Sequence, residues 1–134
     1  MAEAYQFFVI GCGSIGQRHI ANLKTLGIAD ILAFDVRSDR RVEVYERFKV
    51  PTVDNLADGW KGNSQVTLIT TPSSLHVPLA IEAAENFCHL FIEKPLGSTI
   101  DGIAELIQKV EHNHLKTMIG SNMRFKHGPA TIKR

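Results

Sequence analysis

The sequence predicts an α/β fold, a doubly wound parallel sheet in a single domain. Three observations predict it. Short apolar runs alternate with stretches of helical spacing along most of the 134 residues. The short runs are apolar almost throughout, as in strands buried on both faces. The first of them passes directly into a glycine-rich turn that opens a helix.

The elements follow in chain order. Tyr5–Ile10 (YQFFVI) is aromatic and β-branched, a strand. Ser14–Leu26 is helical, and Gly27 stands where a glycine ends a helix. Ile31–Phe34 (ILAF) is the second strand and runs into Asp35. Ser38–Phe48 is a polar helix. Val50–Val53 is a weak strand interrupted by Pro51, and Asp54–Gly59 a short turn or helix. Val66–Thr70 (VTLIT) is a further strand. Pro78 suits the first position of a helix continuing through Leu79, Ala80, Ile81, Ala83 and Ala84. Leu90–Ile92 is a strand. Ile103, Leu106, Ile107 and Val110 mark one face of an amphipathic helix. Ser98 or Thr99 is its expected cap, with Asp101 in its first turn. Thr117–Ile119 is the last strand. Right-handed crossovers leave few topologies for such a chain.

Composition excludes several classes of function. The chain is 44% hydrophobic and 22% charged, ordinary for a globule and unlike a disordered chain. A domain of this size buries roughly two-thirds of its unfolded surface. Lys and Arg number 15 against 14 Asp and Glu. Four of the bases (Arg124, Lys126, Lys133, Arg134) lie in the last fourteen residues, so the body carries three more acids than bases. That does not fit a nucleic-acid partner, which calls for a basic face. No apolar run approaches ~18 residues, so no membrane span is expected. Cys12 and Cys88 form no C-x-x-C pattern, and the six histidines show no H-E-x-x-H. No metal site is expected, and two isolated cysteines suit a reducing, cytoplasmic setting.

Gly11-Cys12-Gly13-Ser14-Ile15-Gly16 is G-x-G-x-x-G between a strand and a helix. Gly11 permits the tight turn, Gly13 admits a pyrophosphate to the backbone, and Gly16 lets helix and sheet pack closely. The amides and dipole of the helix start attract an anion. Asp35 ends the second strand nineteen residues after Gly16, placed to bond ribose hydroxyls. Together these make the fold Rossmann-like and the cofactor NAD. The acid repels a 2′-phosphate, while Arg37, Arg40 and Arg41 offer NADP a partner. No G-K-[ST] follows, so this is not a nucleoside-triphosphate loop. Enzymes of S-adenosylmethionine share glycine-rich first turns, but many carry an acid just before the glycines, where this chain has Val9 and Ile10.

Ligands of a doubly wound sheet bind beyond the carboxyl ends of its strands. The candidates are therefore Thr70, Thr71, Pro72 and His76, then Glu93, Lys94 and Pro95, then Asn122 and Arg124. The fingerprint with His19 just beyond it, Thr71-Pro72 with His76, and Glu93-Lys94-Pro95-Leu96, in this order, resemble the Gfo/Idh/MocA oxidoreductases. The segment Gly120–Phe125 is similar to that family's N-x-R-F stretch. The resemblance implies nicotinamide-dependent oxidation or reduction of a sugar, cyclitol or related polyol. It implies Lys94 as the catalytic lysine, whose ammonium stabilises a developing alkoxide. Glu93 would hold its loop near the nicotinamide ribose, and a cis Lys94–Pro95 bond is allowed. Thr70, Thr71, Pro72, His76 and Asn122 would flank the cofactor.

The resemblance also implies a division at residue 120. Residues 1–120 are the expected dinucleotide-binding domain, and 121–134 lead toward a C-terminal substrate domain that is absent. The expected partners are nicotinamide dinucleotide and, only with that missing domain, a polyol or sugar. An inter-domain surface with Met118, Ile119, Met123 and Phe125 would be left for self-association. Three readings stand: the cofactor half of a dehydrogenase, inactive alone; a dinucleotide-binding or sensing module working with a partner chain; and a ligand-free remnant, which the fingerprint disfavours.

Overall fold

The computed structural model describes residues 4–121. Six strands form one sheet: β1 (Phe7–Ile10), β2 (Ile31–Phe34), β3 (Thr52–Val53), β4 (Val66–Ile69), β5 (His89–Glu93) and β6 (Thr117–Gly120). Five α-helices accompany it: α1 (Ser14–Thr25), α2 (Ser38–Phe48), α3 (Leu56–Trp60), α4 (His76–Glu85) and α5 (Ile103–His112). The strand order is β3-β2-β1-β4-β5-β6, and every pairing is parallel. Phe7 stands opposite Ile31 on one side and Val66 on the other, so β1 is central. This is the doubly wound sheet that the alternation of elements predicts.

Successive side chains of a strand face opposite sides, and the sheet therefore carries two cores. Phe8, Ile10, Ile69 and Ile92 pack with Leu79, Ala80 and Ala83 of α4 and Leu106 of α5. Val9, Ile31, Ala33 and Leu68 pack with Ile20 and Leu23 of α1 and Val44 of α2. Trp60 of α3 stands edge-on to Phe8 at 5.2 Å between ring centroids. The chain permits this because residue 59 is glycine; a Cβ there would overlap the Phe8 ring.

Helix ends follow local chemistry. Gly27 takes φ +84°, and the N–H groups of Gly27 and Ile28 donate to Lys24 and Leu23, closing α1 as the sequence predicts. Two expectations are corrected. Pro78 is the third residue of α4, because a 3₁₀ turn over Ser73–Leu75 starts the helix at His76. Its missing N–H still falls among those a first turn leaves unpaired. The cap of α5 is Gly102, without a side-chain bond, and the first-turn acid is Glu105. Thr99 instead accepts from the Asp101 N–H within the preceding turn.

Candidate functional site

β1 neighbours β2 on one side and β4 on the other, and the chain leaves β1 and β4 toward opposite faces. The crevice that opens between such strand ends is the general ligand site of these sheets. Gly11 enters it at φ +104° and donates its N–H to Phe34 at 2.8 Å. A Cβ on Gly11 would stand 2.6 Å from the Thr70 carbonyl oxygen, and one on Gly16 would overlap the Gly11 carbonyl. These two glycines are therefore demanded by the protein's own packing. Gly13 is not: the nearest atom to a Cβ there is the Arg40 guanidinium, at 3.5 Å. Thr70 locks the turn from β4, its hydroxyl shared between the carbonyls of Gly11 (2.7 Å) and Ile10 (3.0 Å).

Gly13 caps α1 without a side chain, and no acid lies in the helix's first turn. Among the described residues no side chain caps the amides there, and the positive end of the dipole has the character that attracts an anion.

Asp35 sits 6% exposed at the end of β2. Its Oδ2 accepts the Cys12 N–H at 2.8 Å and its Oδ1 the Arg37 N–H at 2.9 Å. Arg40 Nη1 lies 3.5 Å from Oδ2. The other two arginines are committed elsewhere. Arg37 is paired with Asp39 at 2.6 Å, and Arg41 donates to the Asp35 carbonyl at 2.7 Å. Cys12 contributes structure: its N–H is taken by Asp35 and its thiol is buried. Burial first, and the Asp35 charge second, push that thiol from its usual 9.0 up to about 12, against Arg40 and Arg41.

A cavity of about 620 Å³ joins these parts. It brings together Gly11, Gly13, Ser14, Ile15, Asp35, Arg37, Thr70, Thr71 and Pro72, all expected from sequence, with Arg40 beside them. It also takes in Leu56, Leu75, Pro78, Leu79 and Glu82, which sequence reasoning did not single out. The spacing of Leu75, Pro78, Leu79 and Glu82 is one helix face, a signal present in the sequence but indistinguishable there from a core stripe.

Other expected site residues lie off this cavity. Cys12 and Gly16 are buried behind the turn. His76 is 1% exposed and does not line the cavity; its ring nitrogens lie 2.8 Å from the Thr71 carbonyl and 2.7 Å from that of Pro95. It ties the turn after β4 to the turn after β5. Glu93 Oε1 meets His19 Nε2 at 2.6 Å, and Glu93 Oε2 accepts the Lys94 N–H at 3.3 Å. A Cβ on Gly120 would come within 3.1 Å of that carboxyl group. Lys94 is exposed at the end of β5, and the Lys94–Pro95 peptide is cis. Asn122 and Arg124 lie outside the described residues, as do Met123 and Phe125.

Comparison with known proteins agrees with this geometry. A family model described as an oxidoreductase family with an NAD-binding Rossmann fold matches residues 5–121. A myo-inositol 2-dehydrogenase of Thermotoga maritima is 31% identical over 87% of this chain and 36% of its own length. An inositol 2-dehydrogenase of Burkholderia multivorans is 28% identical over 96% of this chain and 40% of its own. The WlbA dehydrogenase of Bordetella pertussis, solved with NADH and UDP-GlcNAcA, superposes with a TM-score of 0.91 at 21% identity, over 98% of this chain and 40% of that one. The scyllo-inositol dehydrogenase of Lactobacillus casei, solved with NAD(H) and scyllo-inositol, superposes with a TM-score of 0.86 at 24% identity over the same shares. The two solved structures are likenesses of fold. The chain thus spans well under half the length of these relatives.

Proposed function

The chain belongs to the Gfo/Idh/MocA oxidoreductase family, with its NAD-binding Rossmann fold, and from that premise we propose that it is the cofactor-binding part of a dehydrogenase of sugars, cyclitols or related polyols. The observation that carries the reading is Gly13. A side chain there would meet nothing but Arg40, yet the position is glycine beside the uncapped start of α1. The room is the size of a ligand's approach, and the donors facing it suit a pyrophosphate.

On this reading the first-turn amides of α1, with Ser14 and Ile15, hold the pyrophosphate. Asp35 accepts from a ribose hydroxyl with its remaining lone pairs and disfavours a 2′-phosphate. Of the two arginines at the cavity, Arg37 is paired with Asp39, and Arg40, beside Asp35, is the one placed to receive NADP. Thr71 and Pro72 border the cofactor, and His76 and Glu93 position the turns that carry Thr71 and Lys94. The nicotinamide, when bound, supplies or accepts the hydride. The Lys94 ammonium then stabilises charge on the substrate oxygen and exchanges a proton at Nζ. The substrate class is supported by the inositol dehydrogenases among the relatives.

The second reading is a dinucleotide-binding module that works with a partner chain. Its support is that the described residues lining the cavity all lie between Ile10 and Glu82, within the dinucleotide-binding part of this chain. The exposed Met118 of β6, beside an apolar groove with Leu26 and Phe91, supports self-association. Among the described residues no helix is long and apolar enough to cross a membrane, and two free buried thiols suit a cytoplasmic protein.

Calorimetric titration with NAD and NADP, oxidised and reduced, tests the cofactor reading. Saturable binding of NAD and NADH, with NADP weaker, is expected. No saturable binding of any of the four overturns it. A chain that binds NAD and co-purifies with a complementary subunit supports the module over the dehydrogenase part.

A further inference from the structure

The cavity has two sides of different chemistry. One side holds the glycine turn, Asp35 and Arg40. The other, on α3 and α4, is walled by Leu56, Leu75, Pro78 and Leu79 and carries one ionisable group, Glu82. Leu75, Pro78, Leu79 and Glu82 follow one another at i, i+3, i+4 and i+7, so Leu75 at the cap of α4 and one face of the helix present three apolar side chains and then a carboxylate.

That carboxylate is held in place. Trp60 donates its indole N–H to Glu82 Oε1 at 2.7 Å, and the Trp60 ring is itself seated on Phe8. Among the described residues no cation pairs with Glu82, and its Oε2 has no hydrogen-bond partner. An ionised carboxylate only accepts hydrogen bonds. The matching ligand is a flat, largely apolar body with a donor on its edge.

Resting on the cofactor reading above, we propose that Glu82 reads the 6-amino edge of the cofactor's adenine and makes the site selective against 6-oxo purines. With the pyrophosphate at α1 and its ribose at Asp35, the base is the next part of the molecule, and the apolar wall of α3 and α4 is where a base is received. An adenine amino group donates to Oε2. A 6-oxo group in the same place sets an acceptor against an acceptor, and a half-buried polar pair left unbonded discriminates against that ligand.

The probes are NAD and nicotinamide hypoxanthine dinucleotide, titrated by calorimetry into the whole chain. The wild type should bind NAD about tenfold more tightly, the worth of one hydrogen bond to a charged group. Glu82→Gln keeps an oxygen for Trp60 and turns an amide donor toward the base, so it should shrink or reverse the preference. Glu82→Leu should lose the preference while thermal unfolding by circular dichroism shows a folded chain. If NAD binds and the hypoxanthine dinucleotide binds within about twofold of it, the Glu82 assignment falls and the cofactor reading stands. An unchanged preference in folded Glu82→Gln also overturns it. If neither dinucleotide binds the wild type, both readings fall together. The comparison of two ligands on the wild type needs no variant to fold.

Discussion

The Cys12 N–H donates to Asp35 Oδ2 at 2.8 Å, so the carboxylate that closes β2 also fixes the second residue of the glycine turn. Asp35 is therefore part of the loop's scaffold, and on the proposed reading a ligand group as well. Asp35→Ser should shift binding toward NADP by about tenfold, because it removes the repulsion of a 2′-phosphate and releases Arg40 to meet one. The same change should cost about 2 kcal/mol of stability through the loss of one buried and one half-buried hydrogen bond. Calorimetry with NAD and NADP, paired with urea unfolding, separates the effects; an unaltered NAD/NADP ratio would refute the specificity role.

The glycines of the turn should respond differently. Gly13→Val should abolish measurable NAD binding while leaving the circular dichroism spectrum and melting temperature nearly unchanged, since only Arg40 lies near the new side chain. Gly16→Ala should unfold or destabilise the chain by about 3 kcal/mol, because its Cβ overlaps the Gly11 carbonyl. A Gly13→Val protein that still binds NAD with full affinity would sink the phosphate-loop assignment.

Cys12 gives a pH dependence. Its thiol titrates near 9.0 when the chain is unfolded and about 12 when folded. Between those values the folded chain holds a proton that the unfolded chain has released. The contribution is therefore complete below pH 9 and is lost as pH rises toward 12, by up to about 1.4 kcal/mol per unit. Urea midpoints at pH 8 and pH 10.5 should differ more in the wild type than in Cys12→Ala. Equal shifts in the two proteins would show that the thiol plays no part.

Self-association through β6 should appear as a rise in weight-average mass with concentration in light scattering. Met118→Lys, which places a charge on the exposed apolar surface, should suppress it. A wild-type chain that stays monomeric across the same range removes this proposal.

Much of the fold was legible because local chemistry and tertiary packing agree. Ile31–Phe34 and Ser38–Phe48 lie where their apolar spacing puts them, and Gly27 ends α1 as a glycine should. α4 starts two residues before Pro78 because proline is at home in several positions of a first turn, and here His76 is the residue bonded to the turns on either side. The polar turn before α5 offered Ser98 and Thr99 as caps, but Thr99 is bonded within its own turn. At the site, the glycine turn and Asp35 were visible because both follow strands at fixed spacing. Leu56, Leu79 and Glu82 were not, since periodicity cannot tell a side chain facing a cavity from one facing a core. Sequence position says nothing of depth for His76, which the structure buries behind the turn against the carbonyls of Thr71 and Pro95.

The hydroxyl of Thr70 bonds the Ile10 carbonyl across a sequence separation of 60 residues. The fingerprint is thus synthesised well before the residue that completes it. While β4 is unmade, the glycine turn lacks both its hydroxyl clamp and one of the strands beside it, and the pairing must close a loop of some sixty residues against its entropy. A nascent chain ending before residue 66 carries the whole dinucleotide motif without the strand that gives it a fixed shape. Cofactor present during translation consequently finds little to select until β4 has joined β1, and its stabilising effect enters late in folding.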